Sequence, residues 1–66
     1  MDYRNTYSFN VTYADKDGVI SNEDIQIMGN YYTDALINAV KEATITADIN
    51  YCRVVEIKYN KEKSDE

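Results

Sequence analysis

The 66-residue chain has no histidine and no tryptophan, a single cysteine and two glycines. Each shortage removes a kind of chemistry. With no histidine and only Cys52, neither a structural zinc site nor an internal disulfide can be built. Cys52 also has no imidazole to take its proton, so it reads as a small thiol in or beside the core and not as a nucleophile. Gly18 and Gly29 stand far apart, which leaves no glycine-rich loop to cradle a phosphate. Apolar runs are only a few residues long, too short for a membrane span. Acid–base work would rest on carboxylates, tyrosines and lysines alone. Glu23 and Asp24 are adjacent, so on a strand they point to opposite faces and form no catalytic pair. Neither an enzyme, nor a cofactor, nor a metal is expected.

Basic residues are scarce as well: seven, against twelve acids, for a net charge of −5. That balance repels phosphate at long range and disfavours direct contact with nucleic acid. It suits a basic protein partner, and it also keeps a small protein soluble. The lone cysteine, with no secretion signal ahead of it, places the expected setting in the reducing cytoplasm.

What is present begins with strict alternation. From Arg4 to Tyr13 the odd positions Tyr7, Phe9, Val11 and Tyr13 are large and apolar, and the even positions are polar. Period two means a strand with one buried face. Asp15-Lys16-Asp17-Gly18 follows, with the residues of a type I turn and a left-handed glycine closing a three-residue loop. This loop pairs Asp15 with Val19, Phe9 with Ile25 and Tyr7 with Ile27, all on one face. A two-residue Asp17-Gly18 turn would slip the register by one and turn the isoleucines outward. The second strand is predicted over Val19–Met28, with its polar middle, Ser21–Asp24, at an edge or frayed.

A helix comes next, capped by Asn30 or Thr33, with Asp34 in its first turn. Tyr32, Ala35, Leu36, Ala39, Val40 and Ala43 fall at helical spacing and form its apolar stripe. The β-branched Thr44, Ile45 and Thr46 are expected to end it. A last strand runs from about Asn50 to Tyr59, with apolar groups on both faces. Lys61–Glu66 is a charged tail, expected to be disordered. The predicted fold is therefore a single α+β domain over residues 1–60, β-β-α-β. Its three-stranded antiparallel sheet has the order 2-1-3, with the helix on one face. The opposite face is expected to show Thr6, Ser8, Asn10, Thr12 and Gln26, with Cys52 or Val54 beside them. A domain this small buries only about 60% of its unfolded surface. It lacks disulfide and metal, so tight packing or a homodimer is the expected support.

One stretch has ligand spacing. Asp15, Asp17, Gly18, Ile20 and Asp24 match the third, fifth, sixth, eighth and twelfth positions of a calcium loop. Residues 13–32 thereby resemble one repeat of a dockerin, a calcium-dependent docking module. Tyr13 stands where the first ligand would be, Asp24 replaces the usual glutamate, and no second loop follows. The plainer reading is a turn and an acidic strand. A helix over Ser21–Met28 would favour the docking module.

Seven of the eight aromatic residues are tyrosines, large and rigid with a polar tip, the type enriched where proteins meet. Tyr7 and Tyr13 fit the core; Tyr3, Tyr31, Tyr51 and Tyr59 are harder to bury together in so small a domain. In size and layout over residues 3–59, the chain resembles the small acidic accessory proteins of phages and mobile elements. Anti-CRISPR proteins are the best-known of these. The resemblance implies a non-enzymatic inhibitor that mimics nucleic acid and binds a host nuclease complex or other nucleic-acid-handling defence protein. On that reading the partner-binding residues are Asp15, Asp17, Glu23, Asp24, Tyr31, Tyr51 and Tyr59. A docking module and a structural homodimer are the alternatives.

The hairpin reading carries a test. Calcium should change neither the melting temperature nor the circular dichroism beyond the effect of ionic strength. A saturable shift at micromolar calcium, abolished in Asp17→Ala, would establish the docking module instead.

Overall fold

The computed structural model describes residues 5–64; Tyr3, Arg4 and the last two acids lie outside them. Strand β1 spans Asn5–Asp15, β2 Ile20–Gly29, helix α1 Tyr32–Ile49 and β3 Cys52–Asn60. The sheet order is β2-β1-β3, and both pairings of β1 are antiparallel. This is the α+β arrangement and strand order that the sequence predicts.

The turn sets the hairpin register. Gly18 N–H donates to the Asp15 carbonyl at 3.0 Å, and Asp15 N–H to the Val19 carbonyl at 3.0 Å. Gly18 has φ of 84°, the left-handed conformation that glycine adopts without strain. Phe9 faces Ile25 and Tyr7 faces Ile27, as the longer loop requires. The polar middle of β2 does not fray: Asn22, Glu23 and Asp24 pair with Thr12, Val11 and Asn10 along the sheet edge.

Strand β3 needs one irregularity. Tyr13 pairs with Val54 but Thr12 with Glu56, so Val55 is an extra residue in a bulge. The bulge explains why apolar residues of this strand fall out of phase. Cys52 and Val54 before it, and Ile57 and Tyr59 after it, all pack on the helix side. Val54 and Cys52 therefore do not join the outer face; of the two valines of β3, Val55 is the exposed one.

The helix runs longer than its β-branched residues suggest, to Ile49. Thr44 Oγ1 donates to the Val40 carbonyl at 2.8 Å, which gives its hydroxyl a helical partner. Ala43 and Ala47 dock on the sheet and hold the last turns. Tyr31 is the N-cap residue and no side chain caps the helix, so neither Asn30 nor Thr33 has that role. The buried positions are Ala35, Ala39, Ala43 and Ala47, four residues apart. Leu36 is only half-buried, and Val40 is exposed, contrary to the predicted stripe.

Small side chains bring the helix close to a sheet face made of large ones. Tyr7, Phe9, Ile27, Ala35 and Ala39 form one cluster, and Val11, Tyr13, Ala43 and Ala47 the other. Burying a residue such as Phe9 contributes roughly 1.5–3 kcal/mol. Within the charged tail, Lys61–Lys63 form a 3-10 turn. Ser8 N–H donates to Ser64 Oγ at 2.9 Å, and that hydroxyl donates to the Asn60 carbonyl at 2.8 Å. Ser8, expected on an open face, is thereby buried.

Packing of this kind is intolerant of added volume at the alanines. Ala39→Leu should cost about 1–3 kcal/mol, because a fully buried position against the sheet has no room for three more carbons. Ile37→Ala, on the exposed side of the same helix, should stay within about 0.5 kcal/mol in the monomer. Urea unfolding of both variants checks the assignment; comparable losses would contradict it.

Candidate functional site

The seven residues singled out as partner-binding do not form one patch. Asp15 is committed to the turn: its Oδ1 accepts from Asp17 N–H at 2.8 Å and from Val19 N–H at 2.9 Å. Asp17 is exposed beside it. Asp15, Lys16, Asp17, Asn50 and Tyr51 line a shallow cleft where the hairpin tip meets the end of the helix. Tyr51 is 87% exposed and has φ of 57°, a left-handed backbone that a side-chain-bearing residue adopts at a cost of roughly 1–2 kcal/mol. It stops the helix: its N–H donates to the Asp48 carbonyl at 3.3 Å.

Tyr31 is also exposed but sits at the other end of α1, about 27 Å away along an 18-residue helix. Tyr59 is half-buried and packs against the core. Its ring lies 4.9 Å from that of Tyr32, 5.7 Å from that of Phe9 and 6.3 Å from that of Tyr7, closing an aromatic cluster.

Glu23 and Asp24 face opposite ways, as their adjacency predicts. Glu23 lies on the helix side, where Tyr13 Oη donates to its Oε1 at 3.2 Å. Burial first, then this hydrogen bond and the carboxylate's charge, raise the pKa of Tyr13. The two line an open cavity of about 200 Å³ together with Ser21, Asn22, Thr46, Asn50 and Cys52. Its titratable groups are the Tyr13 phenol, the Glu23 carboxylate and the Cys52 thiol, whose Sγ donates to the Asn50 carbonyl at 3.4 Å. Among the described residues, no group of three or more metal-ligating side chains is placed to hold an ion. The segment that a calcium repeat would need as a helix is strand β2.

Asp24 belongs to a polar ladder on the outer face. Asn10 Nδ2 donates to Asp24 Oδ1 at 2.9 Å, and Lys63 Nζ donates to Oδ2 at 3.4 Å. Asn22 Nδ2 donates to Thr12 Oγ1 at 2.7 Å and Asn10 Oδ1 at 3.2 Å. The Asn10 amide, and then the Lys63 ammonium, hold Asp24 below the usual carboxylate pKa.

The residue pattern also hid a surface. Ile37, Val40, Ile45 and Ile49 are all exposed on α1, while its alanines are buried. The unbroken four-residue spacing of those alanines is the signal that marks them, and not the larger residues, as the inward side. Among the described residues, no helix is long and apolar enough to cross a membrane.

None of the family models, characterised protein sequences or solved structures compared with the chain matches it.

The ladder has a measurable acid limb. Because the folded pKa of Asp24 is depressed, its stabilisation is present above the unfolded value near 4 and fades as pH falls through the folded value. In a carboxyl NMR titration, Asn10→Ala and Lys63→Ala should each move the Asp24 midpoint upward. An unchanged midpoint in Asn10→Ala would remove the amide as the cause.

Proposed function

We propose that this chain is a non-enzymatic protein-binding module, an inhibitor carried by a phage or mobile element. It acts on a nucleic-acid-handling host protein by presenting negative charge where that protein expects phosphate. The observation that carries this reading is a segregation of charge. From Asp17 to Val40 the chain has Asp17, Glu23, Asp24 and Asp34 and no lysine or arginine. That segment follows Lys16 out of the hairpin tip, along the outer strand β2 and into the first turns of the helix, so the β2 edge carries acids and no base of its own. Arg53 and Lys58 lie in β3, at the opposite edge. Lys63 partly neutralises Asp24, which leaves Asp17, Glu23 and Asp34 to carry the field. Such a field steers a basic partner and sets its orientation more than it adds affinity. The exposed Tyr51 beside Asp17 supplies the kind of rigid contact that anchors an interface.

Immobilised chain, incubated with bacterial extract, tests the proposal when run beside Asp17→Asn/Glu23→Gln/Asp34→Asn. The wild-type chain should retain a nucleic-acid-binding protein that added DNA displaces. The neutralised variant should retain on the order of tenfold less at low salt, with little difference at high salt. Equal retention by both chains, or a captured protein that DNA does not compete away, would refute the mimicry.

A further inference from the structure

The two open edges of the sheet differ in a way that selects a partner. Strand β2 contains Glu23 and Asp24 and no basic residue. Pairing β2 with a second β2 would set acid near acid in every central register, so that edge is protected against self-association. Strand β3 carries both signs: Arg53, Glu56 and Lys58. Glu56 and Lys58 both point to the outer face, opposite Thr12 and Asn10 of β1. Neither has an ion-pair partner among the described residues.

We infer that β3 pairs antiparallel with β3 of a second copy about a two-fold axis at Ile57. In that register Glu56 of each chain lies opposite Lys58 of the other, so the symmetry makes two complementary pairs at once. Ile57 faces its own counterpart on the helix side. The register keeps inner residues beside inner ones and outer beside outer at the centre, as continuous sheets require. The result is a six-stranded sheet with the two helices side by side on one face.

The helix supplies the apolar part. Thr46 lines the cavity with Ser21, Asn22 and Glu23, so that flank of α1 overlies β2. Leu36 and Val40 lie on the opposite flank, toward β3, with Ile37 next to them. Ile37 is 52% and Val40 45% exposed, and both would be covered where the two helices approach. A domain whose helix buries little but alanine gains apolar burial in this way. The occupant is a second copy, because the charge pattern complements itself, whereas the acidic side complements a basic partner.

Sedimentation velocity across a concentration series, with charge swaps in β3, tests the pairing. The wild-type chain should sediment as a dimer. Glu56→Lys alone and Lys58→Glu alone should each weaken it by about tenfold or more, since each sets like charges opposite one another. The double variant Glu56→Lys/Lys58→Glu should restore the dimer, and the two single variants mixed should pair with each other. Both positions are exposed, and circular dichroism identifies any variant that has lost its fold. A wild-type chain monomeric at all concentrations, a dimer indifferent to the swaps, or an open-ended polymer joining the acidic and basic edges would each overturn the two-fold pairing.

Discussion

The hairpin register governs everything else in this molecule, and a single carboxylate oxygen with one glycine sets it. Asp15 Oδ1 gathers the N–H groups of Asp17 and Val19, and Gly18 takes the left-handed backbone that closes the loop. A one-residue slip would exchange the two faces of β2 and expose Ile25 and Ile27. With the slip prevented, Tyr7, Phe9, Val11 and Tyr13 meet the isoleucines on one side, and the amide ladder of Asn10, Asn22 and Asp24 forms on the other.

That face of large residues then dictates a helix of small ones. Four alanines at i, i+4 spacing let α1 lie close over aromatic rings, and the branched residues are left outside. Exchanging the two sets would overfill the interface, because interiors packed to crystal density cannot absorb extra methylenes. The exposed isoleucines are thus a consequence of a close-packed inner side. They are also the apolar area available for association.

Charge divides the remaining surface. Strand β2 carries acids alone, and mixed signs line β3. An edge strand is a template for another strand, and like charges along it are a standard protection. Here one edge has that protection and the other has a pattern that matches itself under a two-fold rotation.

The sequence by itself determined the strand count and order, the turn type and the hairpin register, because alternation and turn chemistry are local and period two allows no intermediate phase. It also determined that Glu23 and Asp24 oppose one another across the sheet. It did not determine the helix end, since contacts of Ala43 and Ala47 with distant strands outweigh the weak propensities of Thr44, Ile45 and Thr46. The bulge at Val55 was equally illegible: an extra residue reverses the phase of β3, and only pairing with Tyr13 and Thr12 shows where it falls. Of the candidate site, Asp17, Tyr31 and Tyr51 are as exposed as their types suggest, but Tyr59 is drawn into the aromatic cluster. Asp15 is taken by the turn and Asp24 by Asn10 and Lys63. Whether a tyrosine or a carboxylate faces a partner or its own chain depends on neighbours far away in sequence, and the tertiary structure alone brings those neighbours together.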